Sequence, residues 1–382
     1  MKKLILLLSV FTLIAFFCSN IANASNQFNL KQLMNLAFKE NAKAEYRLGM
    51  LYATGGKGIP KSYSKTAYWL KKSAYQGYPK AEDVLGRLYA RGQGVPKSYS
   101  KAAYWWKKSA AQGNQVARAE LGGFYYYGQG VPKSYSKAAY WWKKSAAQGN
   151  PIAEAGLGGL YFRGQGVPKS YSNAAYWWKK SAAQGNSYGE YSLGLSYYYG
   201  WGVVKNYSKA VYWLNKSAEQ GNPKAEALLG ALYFLGHGVP QNNAKAAYWW
   251  KKSAKSAAQG NSYSEYSLGL SYYYGQGVSK NYSKAVYWLN KSAEQGNPKA
   301  EAVLGLLYYT GLGVKKNYSM SIYWFKKSAA QNNSHGELFL GGSYLYGHGV
   351  TQNTSNAIHW LNKSAAQGNT EAKKFLDKIG HR

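Results

Sequence analysis

Residues 98–114 read Ser-Tyr-Ser-Lys-Ala-Ala-Tyr-Trp-Trp-Lys-Lys-Ser-Ala-Ala-Gln-Gly-Asn, and the same residues return unchanged at 134–150. The small and aromatic positions recur at helical intervals, as shown by Ala102, Trp105, Trp106, Ser109 and Ala110. Residues at these intervals lie along one side of an α-helix. The stretch therefore predicts an amphipathic helix, which we name helix B.

A second helix, helix A, is predicted ahead of each copy of helix B. Residues 222–233 read Asn-Pro-Lys-Ala-Glu-Ala-Leu-Leu-Gly-Ala-Leu-Tyr. Asn222 is a favourable helix cap, Pro223 suits the first turn, and Glu226 lies near the positive end of the helix dipole. Helix A is expected to end at a Gly-x-Gly-Val motif such as residues 92–95, because glycine readily adopts the left-handed conformation that terminates helices.

The two helices form a unit that repeats nine times. Leu-Gly pairs in helix A are separated by 36 residues, except for one step of 37 and one of 39. A fixed period of this length indicates stacked supersecondary units that bury their apolar faces against their neighbours. Residues 186–239 nearly repeat as 261–314, which indicates that a block of two units was copied. The pairs are Leu48-Gly49, Leu85-Gly86, Leu121-Gly122, Leu157-Gly158, Leu193-Gly194, Leu229-Gly230, Leu268-Gly269, Leu304-Gly305 and Leu340-Gly341.

The motifs Ala-x-x-x-Leu-Gly-x-x-Tyr, Gly-x-Gly-Val, Lys-Ala-x-x-Trp and Lys-Ser-Ala-x-Gln-Gly-Asn together resemble the Sel1-like repeat (SLR) family, relatives of tetratricopeptide repeats. The resemblance covers residues 41–369. It implies an all-α fold, a right-handed α-solenoid of nine helix-turn-helix repeats of about 36 residues. It also implies a protein-interaction scaffold that in bacteria is often periplasmic or secreted. The acidic residue that the family commonly carries before helix B is replaced here by Ser or Asn: Ser98, Ser134, Ser170, Asn206, Asn281 and Asn317.

The two ends of the chain are predicted to lie outside the repeats. Residues 1–24 resemble a secretory signal peptide, with two lysines, an apolar stretch and a cleavage site after Ala24. Cleavage would remove Cys18, the single cysteine, and with it any disulfide or cysteine metal site. Residues 25–40 and 370–382 are predicted to contain capping helices. We therefore expect a periplasmic or secreted protein, without an integral membrane segment.

The chain is strongly basic, with 48 Lys+Arg, 15 Asp+Glu and a formal charge of +33. A hydrophobic content of 46% nevertheless excludes ordinary disorder. The lysines concentrate in helix B, which the tetratricopeptide analogy places on the convex surface. A solvating coat explains this pattern, but so does a site for an anionic polymer or an acidic host protein. The candidate polyanion-binding residues are Lys107, Lys108, Lys143, Lys144, Lys251 and Lys252.

Helix A contains a position that varies within an otherwise fixed unit, six residues after the leucine of each Leu-Gly pair. We name this set the A row. Tyrosine and arginine supply large amphipathic contacts, so the A row is predicted to line a concave groove for a protein or peptide partner. Packing between neighbouring copies of helix A is the alternative explanation. The position two residues after the leucine also varies, and Arg87 is its only charged residue. The candidate partner-binding residues are Arg87 at that position and, in the A row, Arg91, Tyr127, Arg163, Tyr199, Tyr274 and Tyr346.

Catalytic chemistry has little support in the sequence. The Gly-x-Gly motifs follow helices, whereas phosphate-binding loops follow strands. The Ser-x-x-Lys motif at Ser62, Ser98 and Ser134 resembles that of penicillin-binding enzymes, but it recurs with the repeat and lacks the partner motifs, so a capping serine is the simpler interpretation. We predict no catalytic residue, no metal site and no cofactor. The favoured function is an exported scaffold; the alternatives are a polyanion binder for lipopolysaccharide, cell-wall polymer or nucleic acid, and a penicillin-binding or cell-wall hydrolase.

Overall fold

The computed structural model describes residues 30–56, 58–256 and 260–380. The predicted signal peptide therefore lies outside the described residues. In the described part of the chain, the only pairing of extended residues is an isolated bridge between Gly56 and Ile59. The remainder consists of helices joined by turns and short loops. These form two compact units, and the boundary in the sequence lies after Gln184.

The first unit contains four repeats preceded by helix α1, which covers residues 30–38. Ala37 of α1 is fully buried, and Phe38 packs edge-on against Trp69 with 5.3 Å between ring centroids. Each later helix packs against its neighbours in chain order. The helices are α2 (Ala42–Thr54), α3 (Tyr63–Tyr75), α4 (Pro79–Arg91), α5 (Tyr99–Ala111), α6 (Gln115–Tyr127), α7 (Tyr135–Ala146), α8 (Pro151–Arg163) and α9 (Tyr171–Ala183).

The second unit contains five repeats followed by a C-terminal helix, whose Ala372 is fully buried. In both units even-numbered helices up to α18 are helix A and odd-numbered helices from α3 are helix B. The helices are α10 (Ser187–Tyr199), α11 (Tyr207–Glu219), α12 (Pro223–Leu235), α13 (Asn243–Ser256), α14 (Ser262–Tyr274), α15 (Tyr282–Glu294), α16 (Pro298–Thr310), α17 (Tyr318–Ala330), α18 (Ser334–Tyr346), α19 (Thr354–Ala366) and α20 (Thr370–Gly380).

Polar caps define where the helices begin. Asn222 accepts hydrogen bonds from the backbone amides of Lys224 and Ala225 at the start of α12. At the start of helix B, Ser98 Oγ accepts from the amide of Lys101 at 3.3 Å. These bonds satisfy amides that have no partner inside the helix, which explains why Ser or Asn suffices where the family commonly has an acid.

The glycine of each Leu-Gly pair receives one large side chain from helix B of its own repeat. A Cβ on Gly122 would lie within 2.7 Å of Trp142 Cγ. Trp142 also covers Gly156 of the next repeat, and its Nε1 donates to the carbonyl of Ala119 at 3.0 Å. Leu214, facing Gly194, and Phe325, facing Gly305, occupy the same position elsewhere. Glycine is required because a large side chain of helix B, tryptophan in four of the nine repeats, fills the space that its own side chain would need.

In several Gly-x-Gly loops, including those at Gly94, Gly130, Gly166 and Gly238, the second glycine packs closely against the preceding repeat. Gly130 has φ of +63°, and a Cβ there would overlap the backbone at the start of the preceding helix B, 2.6 Å from Ser100 N. Gly238 makes the same contact in the second unit, where a Cβ would lie 2.6 Å from the carbonyl oxygen of Tyr207. The loop therefore terminates helix A and also supplies a close contact between repeats.

In most repeats a buried glutamate of helix A accepts a hydrogen bond from a glutamine at the end of the same repeat. Glu82 of helix A is 1% exposed, and its Oε2 accepts from Gln112 Nε2 at the end of the same repeat, at 2.8 Å. In the third repeat Arg118 replaces the glutamate and donates to Gln148 Oε1 at 3.1 Å. The same glutamine-to-glutamate bond occurs at Glu45, Glu154, Glu190, Glu265, Glu301 and Glu337.

Burial raises the pKa of Glu154 and Glu301, although the nearby Lys180 and Lys327 and the glutamine hydrogen bonds oppose this effect. The folded chain therefore holds these protons more tightly than the unfolded chain does. Their contribution to stability is fully present below the ordinary value of 4.5 and is lost as the pH rises through the raised pKa.

We expect the Glu154→Gln/Glu301→Gln variant to lose less thermal stability than the wild type between pH 4.5 and pH 7. Melting curves at constant ionic strength measure this difference. Asp377→Asn, which changes an exposed carboxylate, is the control and should leave the pH dependence unchanged. Identical pH profiles for the double variant and the wild type would contradict the argument.

Candidate interaction surfaces

The A row lies at the last residue of helix A, and its members in the first unit are exposed. Tyr127 is 69% exposed, while Arg91 and Arg163 end the helices of the flanking repeats. Tyr126, next to Tyr127, accepts a hydrogen bond from Arg163 Nη1 at 3.5 Å. The aromatic and basic side chains of successive repeats therefore adjoin one another on this surface.

Arg87 lies one turn before Arg91 and has a partner that the sequence analysis did not assign. It forms an ion pair with Asp83, which is 4% exposed and also accepts from Trp106 Nε1 at 3.2 Å. Burial raises the pKa of Glu120 in the next repeat, while the positive charges of Arg87 and Arg91 oppose this increase. The charge of Arg87 is thus partly neutralised by Asp83, whereas the Arg91 side chain is exposed to solvent.

In the second unit the A-row tyrosines are 52–60% exposed. Tyr199 stacks on Trp201 with 4.3 Å between ring centroids, and Tyr274 packs edge-on against Tyr273 at 4.8 Å. Tyr346 lies near His348, which is itself stacked on Tyr318 of the preceding repeat at 5.1 Å. Each tyrosine is held in place on one side while half or more of its surface remains open.

Tyr346 also lines an apolar cleft of about 310 Å³ at the end of the second unit. Helices α16, α17, α18 and α20 form its walls, and Gly342 and Ser343 are among the small residues that line it. Phe375 of α20 contributes an aromatic ring, and Glu371 provides the single charged residue among those lining the cleft. The cleft has a volume suited to one large apolar side chain.

The candidate lysines of helix B fall into two groups. Lys107, Lys143 and Lys251 are exposed. Lys108 and Lys144 are also exposed, but they lie over aromatic rings of their own helix, with Nζ 5.3 Å from the centroid of Tyr104 and 4.5 Å from that of Tyr140. Lys252 lies over Trp249 and forms an ion pair with the buried Glu226 at 3.3 Å.

The Ser-x-x-Lys motif has the geometry of a helix cap. Ser134 Oγ accepts from the amide of Lys137 at 3.3 Å, while the Lys137 ammonium lies over Tyr125, 5.6 Å from the ring centroid. Among the residues that the structure describes, no three His, Cys, Asp or Glu side chains are grouped as a metal site would require. Within the same residues, no helix is long and apolar enough to cross a membrane.

Three features of these surfaces escaped the sequence analysis. The pairing of Asp83 with Arg87 could have been found, because the two residues are four apart on one helix. The position of Lys108 over Tyr104 has the same spacing. The cleft had no such signal, since its walls come from four helices spread over residues 306–375.

The fold and its recurring surfaces define the chain as an all-α repeat solenoid. The Sel1 repeat model matches nine segments of it, and the chain therefore belongs to the Sel1-repeat family. Proteins of this family are generally protein-interaction scaffolds, bind protein partners, and are typically non-enzymatic. The segments are residues 42–78, 79–114, 115–150, 151–186, 187–222, 223–257, 262–297, 298–333 and 334–369.

The solved structures that are similar to this chain include two Sel1-repeat proteins. The structure of c5321, a protective antigen present in uropathogenic Escherichia coli strains that displays an SLR fold, is 35% identical, with a TM-score of 0.81. The match covers 92% of this chain and 74% of c5321. A Sel1 repeat protein from Oxalobacter formigenes is 33% identical over 65% of this chain and 96% of its own, with a TM-score of 0.58.

A shorter match links the chain to a plant protein. HRD3A, an ERAD-associated E3 ubiquitin-protein ligase component from Arabidopsis thaliana, is 38% identical over 56 residues. The match covers 15% of this chain and 8% of HRD3A, so it spans only a small part of that protein's length.

Proposed function

We propose that the chain is an exported, non-enzymatic scaffold that binds a protein or peptide partner on the A row. The observation that carries this proposal is the exposure of the A-row tyrosines. Tyr127 and Tyr274 are 69% and 60% exposed, whereas Tyr125 and Tyr272, two residues earlier in the same helices, are 7% and 9% exposed. Rigid, exposed tyrosines provide a large contact area at a modest cost in side-chain entropy.

The arginines and the cleft add chemical detail to the proposed site. Arg91 and Arg163 flank Tyr127 in the first unit, where they would favour a partner segment with acidic or carbonyl groups. In the second unit the cleft beside Tyr346 would take one apolar side chain of the partner. The A row of the first unit therefore suits a partner segment with acidic residues, and that of the second unit suits a segment with an apolar anchor.

The predicted signal peptide supports export to the periplasm or beyond the cell. The similarity to c5321, a protective antigen, also favours this proposal. The basic helix B surface would then hold the protein near an anionic envelope or host surface. Penicillin binding has less support, because the serine of the Ser-x-x-Lys motif accepts a helix amide and its lysine lies over a tyrosine.

The Tyr199→Ala/Tyr274→Ala/Tyr346→Ala variant is expected to lose at least about 2 kcal/mol of partner-binding free energy, because exposed tyrosines often dominate such interfaces. Tagged wild-type and variant proteins would capture partners from envelope extract and host fluid, with washes at high salt. Proteins captured by the wild type would be identified, and their affinity for each variant would then be measured by titration.

The matched control is Tyr212→Ala/Tyr287→Ala/Tyr323→Ala, which removes three helix B tyrosines of similar exposure from the same unit. This control should retain the captured protein. Undiminished capture by the Tyr199/Tyr274/Tyr346 variant would refute the assignment of the A row as the binding surface.

A further inference from the structure

Helix B contains a recurring arrangement of three side chains, which we call the triad. Tyr104 packs edge-on against Trp105, with 5.1 Å between ring centroids, and Lys108 Nζ lies 5.3 Å and 5.4 Å from the two centroids. Every repeat of the first unit has it. The four triads are Tyr68-Trp69-Lys72, Tyr104-Trp105-Lys108, Tyr140-Trp141-Lys144 and Tyr176-Trp177-Lys180.

The triad presents the tyrosine and the lysine to solvent while the tryptophan anchors them. Trp69 and Trp105 are 6% and 4% exposed and Trp141 and Trp177 are half-buried, whereas the four tyrosines are 49–53% exposed. Because the interplanar angles of the four Tyr-Trp pairs are 79–83°, the tryptophan fixes each tyrosine ring in a similar orientation. Each repeat thus offers an oriented phenol hydroxyl and an ammonium group at equivalent positions.

The helices that carry these triads have a single sign of charge. Helices α3, α5, α7 and α9 contain eleven lysines and no acidic residue. The glutamates nearest to the triad lysines, such as Glu82 near Lys108, belong to helix A and are buried. The surface of helix B in the first unit is therefore complementary to a polyanion.

Two features distinguish between kinds of polyanion. Proteins that bind single-stranded nucleic acid stack bases on free aromatic faces, but here the lysine ammonium already covers one face of each tyrosine ring. The triads also use lysine throughout, although arginine matches phosphate groups better. An oriented hydroxyl beside a point charge suits sugar hydroxyls and carboxylates instead.

We propose that the helix B surface of the first unit binds an acidic polysaccharide, with one tyrosine-lysine pair in each repeat contacting the polymer. In each pair the ammonium contacts a carboxylate and the tyrosine hydroxyl hydrogen-bonds to a neighbouring sugar hydroxyl. This surface is separate from the A row, so the chain can hold a protein partner and a polysaccharide through different helices. Because equivalent contacts recur along one unit, affinity should increase with the length of the polysaccharide.

The test uses the full chain and three probes: hyaluronan oligosaccharides of increasing length, polygalacturonate, and single-stranded DNA of matched charge. Lys108→Gln/Lys144→Gln/Lys180→Gln should weaken hyaluronan binding by at least about tenfold, because three of the four recurring contacts are removed. The matched control, Lys97→Gln/Lys133→Gln/Lys169→Gln, removes the same charge from lysines that lie over the first tyrosine of helix B. The control should change binding by less than about threefold.

A second variant preserves the packing of helix B, so a loss of binding cannot be attributed to unfolding. Tyr104→Phe/Tyr140→Phe/Tyr176→Phe removes three hydroxyls but preserves the edge-on packing against tryptophan, and it should weaken hyaluronan binding without altering its salt dependence. Equal losses in the two lysine variants would overturn the proposal, since bulk charge would then explain binding. Tighter binding of DNA than of either polysaccharide, or failure to bind both polysaccharides at low salt, would also overturn it.

Discussion

Replacing Gly130 with alanine is expected to lower the free energy of unfolding by about 2–5 kcal/mol. Two costs add together. Alanine disfavours the φ of +63°, and its Cβ would collide with the backbone at the start of the preceding helix B, next to Ser100. Because backbone atoms cannot move aside as a side-chain end can, the two repeats would have to separate. Chemical denaturation monitored by circular dichroism measures the loss, and the transition should broaden as coupling between repeats weakens.

The neighbouring glycines separate these two costs. Gly149 has φ of +80°, and a Cβ at this position would meet no atom within 4 Å, so Gly149→Ala imposes backbone strain alone. Gly123 lies inside α6 with open space, and Gly123→Ala should stabilise the helix by up to about 1 kcal/mol. If Gly130→Ala proved no more destabilising than Gly149→Ala, the contact between the loop and the preceding repeat would not contribute to stability.

Trp142→Ala is expected to cost about 3–5 kcal/mol, because the side chain is 7% exposed and fills space against glycines of two repeats. The substitution also leaves the carbonyl of Ala119 without its indole donor. Trp142→Leu should cost markedly less, since Leu214 fills the equivalent position against Gly194. Thermal and denaturant unfolding of both variants test this order.

Trp141→Ala is the matched control, because Trp141 is the adjacent tryptophan on the same helix and is only half-buried. It should destabilise the chain less than Trp142→Ala does. Equal losses for Trp142→Leu and Trp142→Ala would show that the position depends on the indole itself rather than on filled volume.

Much of the fold could be predicted because residues within each repeat mark where its helices begin and end. Asn222 and Pro223 open a helix, and the glycines at 92 and 94 end another, without reference to distant residues. The Leu-Gly period then indicated the number of repeats, which the nine matched segments confirm. The bond between Glu82 and Gln112 was missed, since the two residues are 30 apart and only the return of helix B brings them together.

The candidate surfaces were less predictable for a related reason. Charge and variability located Arg87 and Lys252 on their helices, but neither property reveals the ion pairs to Asp83 and Glu226. Lys252 pairs with Glu226 in the repeat whose helix B carries a three-residue insertion, whereas most other repeats pair the glutamate with a glutamine. The A-row assignments and the polyanion role of the lysines stay predictions that the proposed variants test.

The contacts between helices join residues that are close in sequence, and this affects how the chain folds. The hydrogen bond from Trp106 to Asp83 joins residues 23 apart, and the bond between Tyr309 and His348 joins residues 39 apart. Contacts of such low sequence separation require only short loops to close, so the entropy lost before they form is small. Folding can therefore begin at many points along the chain, and a repeat can become ordered as soon as its neighbour has been synthesised.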